Sequence, residues 1–138
     1  MVSNERVSLR PQRFRFRVGA VVALSQEGFD AFEQDRTPGW SSKWKLGDRL
    51  TILKKFPSRS CSEEYLVLYP GGGTGRLPAH LINTRWEQVE DPCPRERKQL
   101  REVITLQEEC RKAGKQERAE ELQRVRAQLL AAIQEAEA

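Results

Sequence analysis

The sequence predicts a mainly β protein with an α extension: a small five-stranded barrel followed by a C-terminal helical hairpin. Three observations carry this expectation. Short apolar, β-branched or aromatic runs recur with turn signals at close spacing between them. Asp91-Pro92-Cys93-Pro94 then breaks the pattern, because two prolines in three residues cannot continue a central strand. Beyond that break Glu, Arg, Gln, Leu and Ala dominate, all good helix formers. The expected division is a flexible basic arm over 1–12, a barrel over 13–91 and a helical hairpin over 92–138.

The elements follow in order. Residues 13–17 alternate Arg-Phe-Arg-Phe-Arg, a period-2 pattern that suits a half-buried strand edge, and Val18 to Leu24 continues as an apolar run. Residues 25–43 form a long polar connection with Gly28, Pro38 and Gly39, and Phe29–Gln34 has the spacing of a short helical turn. Leu50–Phe56 and Tyr65–Tyr69 read as strands, and Pro70 through Gly75 as a turn. Arg76–Leu77 and Asn83–Val89 make the last strands, with a turn over Pro78–Ile82. In the tail, Leu100, Val103, Ile104, Leu106 and Cys110 mark one apolar stripe. Leu122, Val125, Leu129, Ala132, Ile133 and Ala136 mark a cleaner second one, and Gly114 between them reads as a helix stop.

Composition narrows the function classes. With 138 residues, 38% hydrophobic and 32% charged, the chain supports one small core. The net charge of +4 is concentrated: Arg6, Arg10, Arg13, Arg15 and Arg17 face only Glu5 within residues 1–17. Such an arm can touch nucleic acid or acidic lipid, although a solvated start to a strand explains it more plainly. Cys61, Cys93 and Cys110 are odd in number and form no CxxC pair, no apolar leader follows the N-terminus, and no stretch reaches membrane-spanning length. A cytoplasmic setting is therefore expected, with no cofactor. A zinc site would need those cysteines and His80 to converge from distant positions, and no metal is expected.

Two motifs carry a resemblance. Trp44-Lys45-Leu46-Gly47-Asp48-Arg49-Leu50 places a Gly-Asp turn before a strand, and Gly75-Arg76-Leu77-Pro78-Ala79-His80-Leu81-Ile82 carries a strand into a Pro-marked turn. Together they resemble the diverging turn and the closing end of a Src-homology-3 (SH3) domain, over about residues 18–90. Val22-Ala23-Leu24-Ser25-Gln26-Glu27 stands where the family has Ala-Leu-Tyr-Asp-Tyr, so both tyrosines are lost. Glu64 and Tyr65 stand at the family's paired tryptophans, and His80 and Leu81 replace its Asn and Tyr. The resemblance implies an SH3-like five-stranded barrel. An SH3 groove grips a polyproline-II peptide between aromatic ridges, and of the five ridge positions only Pro78 survives.

The expected function is therefore a non-enzymatic protein–protein interaction or adaptor module, part of a signalling or scaffold protein, reading something other than a PxxP peptide: a different peptide or a helix. Candidate partner-binding residues are Trp40, Glu33, Asp35, Tyr65, Pro78 and Leu81, with Phe29 and Phe32 anchoring the long loop and Trp40 as the exposed hot spot. Leu122, Val125, Leu129 and Ile133 pack on the barrel or within the hairpin, or else dock a partner helix or a second copy. The alternative is an SH3-like barrel of the Tudor or KOW kind, associated with nucleic acid through the arginine-rich arm. Gly71 through Arg76 lacks the Lys-Ser/Thr ending and following helix of a phosphate loop and reads as a hairpin tip. His80 has no Ser, Cys or Asp companion that would make it a base.

Overall fold

In the computed structural model, which describes residues 14–35, 45–57 and 63–137, five antiparallel strands and four helices pack together. In chain order they are β1 (Val21–Leu24), α1 (Gln26–Asp35), β2 (Arg49–Phe56), β3 (Glu64–Leu68), β4 (Thr74–Pro78), α2 (Ala79–Arg85), β5 (Trp86–Val89), α3 (Pro94–Lys112) and α4 (Gln116–Glu137). The sheet runs β4-β3-β2-β1-β5. The Gly-Asp turn enters β2 as expected. Gly47 takes φ of 83°, the Asp48 carboxylate accepts the Lys45 N–H at 2.9 Å, and the Asp48 carbonyl accepts the Leu24 N–H at 2.9 Å. The turn is thus tied to the end of β1. Between Ile52 and Lys54 the β2–β3 register shifts, and Leu53 is the additional residue.

Strand alternation gives the sheet two buried faces. On one, Val22, Leu50, Ile52, Tyr65, Val67 and Leu77 form the main core with Phe16, Leu24, Phe32, Ala79, Ile82 and Trp86. On the other, Leu53 and Leu68 meet Cys93, Leu100 and Ile133, flanked by Leu66, Ile104, Leu129 and Leu130. The helical hairpin therefore covers the face opposite the one that holds Tyr65. Its turn is a Schellman motif: Gly114, at φ of 75°, donates to the Arg111 carbonyl at 3.2 Å, and the Lys115 N–H reaches the Cys110 carbonyl at 2.8 Å.

Four expectations are corrected. Residues 14–17 form no strand; Phe14 and Phe16 keep the alternation but spend it packing on the Tyr65 ring, with centroids 5.3 Å and 6.5 Å away. The first strand accordingly begins at Val21. Pro78–Ile82 is not a turn: Pro78 ends β4 in extended conformation, and helix α2 begins at Ala79 and runs to Arg85, so the last strand starts at Trp86 rather than Asn83. The sheet is not closed into a barrel: β4 and β5 are its edges and share no ladder. The seam is filled by α2, which touches β3, β4 and β5 and buries Ala79 and Ile82 there.

Helix α1 docks by its start. Ser25 caps it, its hydroxyl oxygen accepting the Gly28 N–H at 3.0 Å and its O–H donating to the Arg85 carbonyl at 3.1 Å. Gly28 lies so close to that peptide that a Cβ would stand 2.8 Å from the Arg85 carbonyl carbon. Ser25, a position where the resemblance loses a groove tyrosine, thus serves here as a helix cap.

Candidate functional site

Of the six residues expected to bind a partner, four have described side chains: Glu33, Tyr65, Pro78 and Leu81. Trp40 lies outside the described residues, as does the side chain of Asp35. Glu33 is exposed on α1, Pro78 is exposed at the end of β4, and Leu81 is half-buried against the main core. Tyr65 is wholly buried, which removes it as a contact residue. Its O–H donates to Asn83 Oδ1 at 2.6 Å, and its oxygen accepts the Phe16 N–H at 3.1 Å. Burial raises its pKa above the ordinary value of 10.0, against the opposing Phe16 and Arg15 groups. A phenol with a raised folded pKa contributes stability that is intact below its unfolded pKa and is lost as pH rises beyond it. Tyr65→Phe is expected to cost about 1–2 kcal/mol at neutral pH. It should also flatten the loss of stability between about pH 9 and about pH 11, read by denaturant titration of both proteins. Parallel curves would remove the assignment.

Of the arginines in the basic stretch, Arg15 and Arg17 are described, and both are exposed. The Arg15 guanidinium donates to the Asn83 carbonyl at 2.9 Å and lies 5.1 Å from the Phe16 ring centre. Arg6, Arg10 and Arg13 lie outside the described residues.

The second apolar stripe divides. Leu122 and Ile133 are buried and Leu129 is half-buried, whereas Val125 is 42% exposed, so of the two expected roles, packing or docking a partner, packing within the chain does not describe it. Leu106 on the first stripe also faces out, at 47% exposed. The inward face of α3 is instead Arg97, Leu100, Ile104 and Gln107, a 3-4-3 spacing with polar residues at both ends. Gln107 ties the hairpin together: its amide donates to Gln123 Oε1 at 2.7 Å, and its own oxygen accepts Arg126 Nη1 at 2.9 Å. Arg97 ties hairpin to sheet. Its Nη1 donates to Thr51 Oγ1 at 2.6 Å, its Nε stands 3.1 Å from Asp91 Oδ2, and its Nη2 meets Glu137. Beside it, burial pushes the Cys93 thiol up, outweighing the nearby Arg97 charge.

Alongside α3 runs an open groove of about 530 Å³. Leu53 and Leu66 of the sheet and Ile104 form its floor, and Val18 and Leu106 stand exposed on its flanks. Lys98, Arg101, Glu102, Thr105 and Glu109 line it along nearly three turns of the helix. The charges are graded, Lys98 and Arg101 toward the helix start, Glu108 and Glu109 toward its end. Lys54 approaches Glu108 at 3.7 Å, and Lys112 and Lys54 together hold the Glu108 carboxyl below the usual carboxylate range. Glu33, Tyr65, Pro78 and Leu81, the predicted partner residues whose side chains are described, do not line this groove. The cue was present in the sequence as Leu106, apolar at a position off the inward stripe.

Among the described residues no cluster of His, Cys, Asp and Glu could hold a metal ion, and no helix is long and apolar enough to cross a membrane. Comparison with protein-family models, curated proteins and solved structures found no match.

Proposed function

We propose that this chain is a non-enzymatic protein-interaction module that receives an amphipathic helix in the groove beside α3, within a cytoplasmic signalling or scaffold protein. The observation that carries the reading is the groove itself. Two large exposed hydrophobic residues, Val18 and Leu106, flank an apolar floor of Leu53, Leu66 and Ile104, and concentrated exposed apolar surface marks interaction sites. The groove extends along α3 for nearly three turns, a length on which a second helix can lay down residues at i, i+3, i+4 and i+7. Its charge gradient asks for a partner helix with acidic groups near Lys98 and Arg101 and basic groups near Glu109.

The SH3 resemblance supports the module reading through the strand order and the short helix between the last two strands. In this reading the open sheet is an SH3-type barrel whose closing seam is taken by α2 and whose outer face is capped by the hairpin. The buried polar side chains Thr51, Arg97 and Gln107 are spent on joining elements rather than aimed at a substrate, which supports binding over catalysis. Cys93 and Cys110 are free thiols, in keeping with a reducing compartment.

The test is selection from a displayed library of amphipathic helical peptides, with a PxxP library in parallel. Helical binders should emerge, and Leu106→Asp or Val18→Asp should weaken them about tenfold or more without changing circular dichroism. Enrichment of PxxP peptides that depend on Pro78, or helix binding unmoved by both substitutions, would overturn the reading.

A further inference from the structure

At the far end of the hairpin a second cleft, of about 440 Å³, opens between the Gly71–Thr74 turn and the two helices. Gly71, Gly72 and Thr74 form one wall, and Arg111, Gln123, Arg126, Ala127 and Leu130 the other. The turn is a hairpin tip, as the sequence indicated, and no helix N-terminus follows it to make a phosphate loop. What sets the cleft apart is two arginines brought to it from different helices. Arg126 sits in the middle of α4, half-buried, and Arg111 in the last turn of α3, exposed. Among the described residues no carboxylate lines the cleft, and neither arginine has one within 4.0 Å.

The helix dipole accounts for Arg111 near a C-terminus. It does not account for Arg126. That guanidinium spends Nη1 on Gln107 at 2.9 Å and Nη2 on the Gly72 carbonyl at 2.8 Å. The rest of its donor fork is unspent among the described residues. Both partners are neutral, so they fix its orientation without cancelling its charge. Burial, and then the positive charge of Arg111, press its pKa below the ordinary arginine value. An oriented, partly desolvated guanidinium beside a second one, with no counter-ion, is the electrostatic condition that an oxyanion relieves.

We propose that this cleft is a binding site for a phosphoryl group, gripped by Arg111 and Arg126 and bordered by the Thr74 hydroxyl. Ala127 and Leu130 supply an apolar patch beside the two charges, which suits a phosphate carried on a carbon body better than the bare ion. The backbone conformation of the turn is part of the site. Gly72 holds φ of 97°, and a Cβ there would run into the Leu130 side chain. The site lies apart from the groove beside α3 and stands or falls independently of the partner reading.

The experiment uses the whole chain, with inorganic phosphate, phenyl phosphate and acetate as probes in calorimetry and thermal melting, at ionic strength held constant with sodium chloride. Phenyl phosphate at about 10 mM should raise the melting temperature above the chloride-matched control, and acetate should not. Arg111→Gln, an exposed change that leaves the fold intact, should weaken phenyl phosphate about tenfold, and Arg124→Gln elsewhere on α4 should leave it unchanged. Tighter binding of phenyl phosphate than of inorganic phosphate assigns the site to a carried phosphoryl group; equal binding assigns it to the free ion. A shift no larger than chloride produces, or an Arg111→Gln protein with full affinity, overturns the proposal.

Discussion

Replacing Arg97 with alanine is expected to lower folding stability by about 3–5 kcal/mol, the usual cost of removing one partner from a buried charge cluster. The side chain is 5% exposed and holds three elements at once. It donates to Thr51 on β2 at 2.6 Å, faces Asp91 in the linker after β5 as an ion pair at 3.1 Å and meets Glu137 in the last turn of α4. Alanine would leave two carboxylates, 18% and 20% exposed, with Arg49 as the remaining cation, 3.9 Å from Glu137. The loss should show as a lower midpoint in urea. Because the cluster is largely shielded, added salt should change it little. Arg97→Met, which restores volume without charge, should recover only part of the loss. A midpoint change worth under about 1 kcal/mol would mean that the hairpin is held by apolar contact alone.

The role of Arg97 is not legible in the sequence, for a physical reason. Hydrophobic periodicity identifies a packed helix face only where that face is apolar. On α3 the inward positions are Arg97, Leu100, Ile104 and Gln107, so half of the stripe is polar. The apolar pattern through Val103, Leu106 and Cys110 therefore slid toward the solvent side. The same limit hides Gln107. Strands β2 and β3 were legible because β-branched and aromatic runs lie between strong turn residues, and Gly114 because its φ of 75° suits glycine. Tyr65 was misplaced as a contact residue because no local pattern reveals that Phe14 and Phe16 fold over it. The groove was illegible for a related reason: Val18, Leu53, Leu66 and Leu106 come from separate segments that meet only in the folded chain.

Trp86→Ala should be comparably damaging, at about 3–5 kcal/mol by thermal or chemical denaturation, because it empties the largest fully buried side chain. Trp86 begins β5 opposite Leu24 of β1. Its ring meets Phe32 edge-on, with centroids 5.5 Å apart at 76°, and the Arg85 guanidinium lies 4.4 Å from the centre of the same Phe32 ring. Removing the indole therefore loosens the edge strand and the seat of α1 together, and Trp86→Phe, which keeps an aromatic edge for Phe32, should cost clearly less. A loss under about 1 kcal/mol for Trp86→Ala would mean that α1 is held by its Ser25 and Gly28 contacts instead. The outcome bears on where a partner can enter. With α1 locked on Trp86 and Arg85, and α2 filling the seam between β4 and β5, the Tyr65 face of the sheet is closed by the chain's own helices. On the opposite face the described residues leave a strip beside α3 open, floored by Leu53 and Leu66 and flanked by Val18 and Leu106.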